Sequence, residues 1–280
     1  MKNLYVVMGG LGKALLWTSL IPSLCKKDGI DKISVMSPWP FLFEKHNLIE
    51  NHEPLLDFRY FPQLEIYDKI IYHEPYLSDY LKEKDQHMLD NWADAYGIER
   101  VPPRPILNPP VGVYSGLKIT GNESFELSER LETPYYIIQF TGGMGRQGEN
   151  QLCPRDYRPD LVERLNNKIK NEFNLDCVCF RYEHEPRPSG TITFRSKIES
   201  GVLAILPLVV KAKFVICIDS ALMHFAACVK DKPTVVLWNT NQTTPNRIGY
   251  RFQKNILCDT ELCIDTPANE VFDKILEIMK

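Results

Sequence analysis

The sequence has no long apolar run and no excess of one charge. Its longest apolar stretch, GVLAILPLVV, is far shorter than the ~18 residues that a membrane-spanning helix needs. Lys and Arg total 33 and Asp and Glu total 36, so the net charge of -3 gives no basic footprint for nucleic acid. The N-terminal MKNLYVVMGG reaches glycine too early for a secretory signal. We therefore expect a cytoplasmic protein without a membrane span.

Metal-binding patterns are equally scarce. Eight cysteines are scattered over 280 residues, and none has Cys or His partners at the spacing of a zinc site. We expect reduced thiols packed as small apolar groups, with no metal site and no cofactor.

The chain is instead built from apolar runs that alternate with amphipathic segments. Each half begins with a strand-like run, LYVVM or PYYIIQF, followed by a glycine-rich loop. Strands alternating with helices are typical of a parallel sheet covered by helices. Between the halves, VPPRPILNPPVGVYSG contains five prolines, which exclude a helix. We predict two α/β domains, residues 1–132 and 133–280.

Within this plan the pattern predicts further elements. The predicted strands are DKISVMSP, YDKIIYHEP, DCVCFRY, KFVICI and TVVLWN. PFLFEKHNLIE is predicted as a short helix, and LSDYLKEKDQHMLDNWADAYGI as a long amphipathic helix that ends at Gly97 as its C-cap. A helix in the second half is predicted to bend or break near Pro207.

The segment VICIDSALMHFAACVKDKPTVVLWN, residues 215–239, has an aspartate, a serine and a histidine between two apolar runs. Asp219 falls at the carboxyl end of a strand, where ligands of open α/β sheets bind. Ser220 and Ala221 begin a helix, whose first N–H groups and dipole favour a phosphate. His224 follows Ser220 by four residues and so can share its helix face. The simpler alternative is a helix cap followed by a buried core histidine.

The pattern D-S-A-x-M-H-F-A-A-x-x-x-x-x-P-T-V-V-L-W resembles the donor-site signature of heptosyltransferase-type glycosyltransferases, glycosyltransferase family 9. The resemblance covers mainly residues 135–250. It implies the GT-B fold, two Rossmann-like domains facing each other across a cleft, with the acceptor on the N-terminal domain and the donor on the C-terminal one. It also implies that Asp219, Ser220, Ala221 and His224 line the pocket for the diphosphate and sugar of a nucleotide-sugar.

The loop after the first strand carries glycines at positions 9, 10 and 12, where glycine permits close backbone approach to a ligand. The loop resembles the N-terminal loop of GT-B enzymes, which makes Gly9, Gly10 and Gly12 candidates for donor binding. A tight strand-to-helix turn is the structural alternative.

Family members usually carry aspartate after this loop, as the base that activates the acceptor hydroxyl, whereas this chain has Lys13. A lysine replaces such a base only if its pKa falls by several units. Lys13 could instead neutralise the donor phosphates. The base thus stays open, with Glu44, His73 and Glu74 as candidates near predicted element ends.

The second glycine-rich loop, TGGMGRQGENQ, contacts the nucleotide-sugar in the family. The matching positions here are Thr141, Gly142, Gly143 and Arg146. Arg146 can bind phosphate through two parallel hydrogen bonds, or it can be a solvated loop arginine. Glu183 or Glu185, after the next strand, could accept a hydrogen bond from a ribose hydroxyl.

The resemblance implies transfer of a sugar from a nucleotide-diphosphate donor to an acceptor hydroxyl, with Lys13, Asp219 and His224 as candidate catalytic residues. The absence of a D-x-D triplet fits a metal-independent reaction. The acceptor could be a saccharide, a protein or a modified nucleic acid. Two alternatives stay open: a nucleotide-sugar epimerase of GT-B fold, and a catalytically inactive module that only binds a nucleotide.

Overall fold

Two separate parallel β-sheets organise the chain. The computed structural model describes residues 2–44, 46–55, 64–77, 86–107, 131, 133–142, 153–181, 185–194 and 205–280. The chain divides into two units, Met1–Val111 with Asn246–Ile248, and Gly112–Pro245 with Gly249–Lys280. The boundary expected between residues 132 and 133 adjoins residues outside the described ranges and stays a prediction.

The first unit carries a four-stranded sheet in the order β3-β2-β1-β4, with every neighbouring pair parallel. Its strands are β1 (Asn3–Val6), β2 (Ile33–Ser37), β3 (Ile49–Pro54) and β4 (Lys69–Tyr72). Its α-helices are α1 (Leu11–Trp17), α2 (Ile21–Asp28) and α3 (Met88–Tyr96), and short 3-10 turns cover Thr18–Leu20, Pro40–Leu42 and Pro75–Leu77.

Aromatic residues fill the core of this unit. Tyr5 on β1 lies against Trp17 of α1 and Tyr96 of α3, with ring centroids 6.1 and 5.7 Å away. The Trp17 indole N–H donates to the Tyr96 hydroxyl at 3.3 Å, so this buried polar pair satisfies itself.

Helix α3 ends at Gly97, whose φ of 63° lets the backbone turn without a Cβ clash, as predicted. It begins only at Met88, after the extended N-cap His87, so the continuous helix expected from Leu77 is wrong.

The second unit carries a six-stranded parallel sheet in the order β10-β9-β8-β5-β6-β7. Its strands are β5 (Tyr135–Gln139), β6 (Asp176–Phe180), β7 (Thr191–Phe194), β8 (Val215–Ile218), β9 (Thr234–Asn239) and β10 (Lys254–Cys258). Its α-helices are α4 (Pro159–Phe173), α5 (Leu206–Lys211), α6 (Ala221–Cys228) and α8 (Ala268–Ile278). The short helix α7 (Pro245–Ile248) belongs to the first unit except for its first residue.

The interior strands β8 and β9 are buried along their whole length, as expected for strands covered on both faces. On one face, α4 and α8 pack together over a core that includes Leu165, Ile216 and Ile275. Burial of these side chains fixes the sheet register and thereby the positions at which its strands end.

The structure confirms the predicted strands in both halves and adds three that the pattern did not predict, β3, β7 and β10. All three lie at the edge of a sheet. The short helix expected over PFLFEKHNLIE is wrong: only Pro40–Leu42 forms a 3-10 turn, and β3 begins at Ile49. Pro207 lies in the first turn of α5, where its missing N–H costs no hydrogen bond, so it does not bend that helix.

All eight cysteines are free thiols, as expected. None of the helices in the described ranges combines the length and the apolar character needed to cross a bilayer.

His46 is a buried polar residue of the first unit. Its side chain is 3% exposed, and its Nδ1 accepts the Leu48 backbone N–H at 3.2 Å. No described residue forms a hydrogen bond with Nε2. Burial disfavours the imidazolium and lowers the pKa of His46 from 6.5 to about 4.

We predict that His46 makes folding acid-sensitive. Its folded pKa is depressed, so the unfolded chain takes up the extra proton first, and stability falls as the pH drops from 6.5 towards 4. The loss attributable to this residue is about 3 kcal/mol. Urea unfolding of His46→Asn, which keeps an acceptor near the Leu48 amide, should show a flatter pH dependence across this window. The same substitution at the half-buried His52 is the control, and an unchanged slope in His46→Asn would refute the assignment.

Candidate functional site

In the second unit, polar residues follow directly on the buried strand β8. Asp219 comes after the last strand residue, Ser220 is the N-cap of α6, and Ala221 is its first helical residue. The Ser220 side chain does not cap the helix and instead donates from Oγ to Gln139 Oε1 at 2.9 Å. Because β5 and β8 are parallel neighbours, the residues at their ends meet at the same edge of the sheet.

A chain of hydrogen bonds continues along this edge. The Gln139 side-chain amide donates to the Thr141 carbonyl oxygen at 3.2 Å, and Thr141 Oγ1 donates to Glu185 Oε2 at 2.7 Å. Thr141 and Glu185 are both buried. The ends of β8, β5 and β6 are thus linked through side chains, which orders the polar groups before any ligand arrives.

Asp156 fixes the two ends of the second glycine-rich loop. One carboxylate oxygen accepts the Gly142 N–H and the other accepts the Cys153 N–H, both at 2.7 Å. The carboxylate is fully buried, so these bonds replace its contact with water. The loop therefore leaves and rejoins the sheet edge at defined points.

Arg155 brings a positive charge to the start of α6. Its Nη1 lies 3.5 Å from Asp219 Oδ2 and 3.4 Å from the Asp219 carbonyl oxygen. The Asp219 side chain is 9% exposed, whereas that of Arg155 is 41% exposed. Burial raises the pKa of Asp219, and the nearby guanidinium opposes that rise. One side of the guanidinium thus holds a buried carboxylate while part of the group stays open to solvent.

His224 lies one turn further along α6 and is buried. Its Nδ1 and the Tyr250 hydroxyl are 2.6 Å apart, and the two rings meet edge to face. Burial raises the pKa of Tyr250 well above its ordinary value, so the phenol keeps its proton. Tyr250 therefore fixes the orientation of the imidazole.

In the first unit, the residues after β1 form a second polar cluster. Gly9 and Gly10 are exposed, and Gly9 has a φ of 99°, which L-residues rarely adopt. Lys13, in the first turn of α1, is 7% exposed and forms an ion pair with Glu74, which follows β4. The lysine of this loop is therefore already paired with a carboxylate of its own unit.

Aromatic rings surround the Lys13 ammonium. It lies 4.9 Å from the centroid of Tyr76 and 5.6 Å from that of Trp92. Burial lowers the pKa of Lys13, while the Glu74 carboxylate acts in the opposite direction. Cation–π contacts and the ion pair both favour the charged form.

The structure brings together only part of the residues expected from the sequence. Asp219, Ser220, Thr141 and Gly142 converge at one edge of the second sheet. Gly9, Gly10, Gly12 and Lys13 share the carboxyl end of β1 in the first unit. Three expected site residues lie outside the described residues: Gly143, Arg146 and Glu183. Among the described residues, no group of three or more His, Cys, Asp or Glu side chains is placed to hold a metal ion.

The sequence interpretation missed four residues of the site in the second unit: Gln139, Arg155, Asp156 and Tyr250. Gln139 is the last residue of β5 and reads as part of the strand, while Arg155 lies between the loop and helix α4. A signal for Arg155 was available, because it is a cation close to a helix start that follows a glycine-rich loop. Glu185, which the sequence offered beside Glu183, does reach this edge.

No protein-family model and no curated protein sequence matches the chain. Solved structures do match it over its whole length. The E. coli ADP-heptose LPS heptosyltransferase II has a TM-score of 0.66 at 15% identity, covering 100% of this chain and 98% of that one. E. coli heptosyltransferase WaaC with ADP has a TM-score of 0.65 at 15% identity, covering 99% and 100%.

A glycosyl transferase family 9 protein from Veillonella parvula has a TM-score of 0.65 at 13% identity, covering 99% of this chain and 97% of that one. These neighbours have the GT-B fold, so the predicted fold class and its resemblance to the heptosyltransferase group are confirmed. At such low identity the likeness concerns the fold.

We predict that Asp219 lowers the stability of the protein at neutral pH. The pKa of Asp219 in the folded protein is raised above its ordinary value of 3.8. The free energy of unfolding therefore decreases as the pH rises above 3.8. Asp219→Asn should therefore unfold at the same or a higher urea concentration at pH 7, with an advantage over wild type that grows as the pH rises above 3.8. Asp160→Asn, at an exposed carboxylate, is the matched control. A variant that is less stable at pH 7 than at acid pH, relative to wild type, would contradict the prediction.

Proposed function

We propose that the chain is a glycosyltransferase that moves a sugar from a nucleotide-diphosphate donor to an acceptor hydroxyl without a metal ion. The second unit binds the donor and the first unit binds the acceptor. The observation that carries the proposal is the half-exposed Arg155 guanidinium at the start of α6, beside the Asp219 and Ser220 edge of the sheet.

The donor diphosphate is the ligand that this arrangement suits best. A guanidinium offers parallel N–H donors that match phosphate oxygens, and the first backbone amides of α6 add a partial positive charge. The buried Asp219 keeps Arg155 in place, so little side-chain entropy is lost when phosphate binds. Arg146 and Gly143, expected in the same role, remain part of the proposal.

The neighbouring polar groups suit the hydroxyls of the donor. Ser220 and Glu185 lie on either side of the Gln139–Thr141 hydrogen-bond chain. Glu185, or Glu183 close to it in sequence, is the candidate for the ribose. Asp219 and His224 are the candidates for the transferred sugar, with Tyr250 holding the imidazole ring.

Stabilising the leaving diphosphate is the main chemical demand of such a transfer. Negative charge grows on the departing oxygen, and preorganised donors at that position lower the barrier without reorganising. Arg155 and the α6 amides meet this demand in our proposal and take the role that a metal ion has elsewhere. EDTA should accordingly leave turnover unchanged.

The solved neighbours suggest which donor to test first, because two of them are named for ADP-heptose or were solved with ADP. The acceptor stays open among saccharide, protein and modified nucleic acid. A cytoplasmic location and the predicted domain boundary likewise remain expectations.

The test is a binding panel on the purified full chain. Thermal shift and calorimetry with ADP-heptose, UDP-glucose and GDP-mannose should identify one preferred donor. Arg155→Met should weaken that donor roughly tenfold or more, because a charge-assisted hydrogen bond to phosphate is lost. Arg158→Met is the matched control, since Arg158 is paired with Asp160 on the surface.

Each outcome separates the alternatives. An unchanged donor affinity in Arg155→Met would refute the site, and a wild-type chain that binds none of the donors would refute the function. Incubation with donor alone distinguishes the remaining readings: an epimerised nucleotide-sugar indicates the epimerase, and binding without any turnover indicates an inactive binding module.

A further inference from the structure

We propose that Glu74 is the general base that takes the proton from the acceptor hydroxyl, and that Lys13 positions it. This inference rests on the proposed glycosyltransferase function and names the residue that deprotonates the acceptor. The observation behind it is the convergence of a lysine from the first glycine loop and a carboxylate from the neighbouring strand.

Strand pairing explains why the two residues meet. β1 and β4 are parallel neighbours, with Val6 opposite Tyr72. The residues that follow both strands therefore lie at one edge of the sheet, the edge at which ligands of α/β units bind. Glu74 comes two residues after β4, and Lys13 lies in the first turn of α1, the helix that follows β1.

The two oxygens of Glu74 have different surroundings. Oε1 accepts from Lys13 Nζ and also from the Tyr76 backbone N–H, which lies 3.3 Å away. Within the described part of the chain, Oε2 receives no hydrogen bond. The side chain is 12% exposed, so it is largely shielded from water yet not sealed off. The carboxylate is thus held by one oxygen, and the other is left to accept a proton in our proposal.

Lys13 is itself immobilised, as a positioning residue must be. The rings of Tyr76 and Trp92 flank its ammonium. On the loop side, a Cβ at Gly9 would lie 2.8 Å from Lys13 Cδ, so the glycine is needed for the backbone to pass over the lysine stem. The Trp39 indole N–H donates to the Gly9 carbonyl oxygen at 2.9 Å and fixes this part of the loop.

Charge considerations assign the roles within the pair. A lysine that is ion-paired to a carboxylate and flanked by aromatic rings is favoured as the cation, and an ammonium cannot accept a proton. A carboxylate with an unused oxygen can. Glu74 is therefore the proton acceptor of the pair, and Lys13 stabilises its carboxylate electrostatically.

The proposed step balances simply. The acceptor hydroxyl gives its proton to Glu74 Oε2 while its oxygen forms a bond to the anomeric carbon. The bond from that carbon to the diphosphate oxygen breaks, and its electron pair leaves with the diphosphate. No oxidant, reductant or metal is required, and the carboxylic acid later returns its proton to solvent.

The test compares Glu74→Gln with wild type, using the donor preferred in the binding panel, with ADP-heptose tried first. Gln keeps the shape and can still accept from Lys13 and from the Tyr76 amide, so the fold should hold. Donor affinity should stay within about twofold. Nucleotide release, with water or a panel of methyl glycosides as acceptor, should fall roughly 10²- to 10⁴-fold.

Glu99→Gln provides the matched control, because Glu99 is an exposed carboxylate of the same unit. Lys13 is tested by Lys13→Met, which should slow release with donor affinity retained, and by Lys13→Arg, which should restore part of the rate. A purely structural ion pair would predict lost stability in Lys13→Met and normal turnover in whatever protein remains folded.

The outcomes separate this inference from the function on which it rests. Wild type that binds no donor overturns both. Donor binding and nucleotide release that persist in Glu74→Gln overturn only the assignment of the base. Wild type that binds donor and releases no nucleotide under any of these conditions also overturns it, because a positioned base should activate water in place of the acceptor.

Discussion

Parallel pairing of neighbouring strands is the constraint from which the functional groups of both units follow. When neighbouring strands run in the same direction, every strand reaches the same edge of its sheet at its carboxyl end. Whatever residue follows a buried strand is then brought close to residues that are distant in sequence. Asp219 meets Arg155 in this way, and Lys13 meets Glu74. The apolar residues of the strands position the chemistry although they take no part in it.

The interior strands could be predicted from the sequence because each forms a distinct apolar run. A strand covered on both faces is largely apolar, as are VICI of β8 and the four inner residues of TVVLWN in β9. The strands that escaped prediction lie at sheet edges, where one side of the backbone meets no further strand and polar residues are tolerated. β3, with the sequence IENHEP, is the clearest case. Its pairing with β2 follows from tertiary context, which no local pattern records.

The same distinction applies to the site residues. Asp219, Ser220 and Ala221 could be predicted because strand end and helix start are adjacent in sequence. The partners of these residues could not, since Gln139 reaches Ser220 only through the pairing of β5 with β8. Lys13 shows the limit most clearly. Its position in the glycine loop suggested a phosphate contact, whereas Glu74 on the neighbouring strand engages its charge.

The two carboxylate–cation pairs differ in which partner remains accessible, and this difference fits their proposed roles. In the second unit the carboxylate is buried and the guanidinium is half exposed, so the pair offers positive charge to an anion. In the first unit the ammonium is buried among aromatic rings and one carboxylate oxygen has no bond among the described residues, so the pair offers a proton acceptor. Burying either ion costs free energy that the fold recovers elsewhere. Apolar residues in place of a buried ion pair are often as stabilising or more so, and the presence of such pairs at the carboxyl ends of strands in both sheets is therefore an argument for the proposed chemistry.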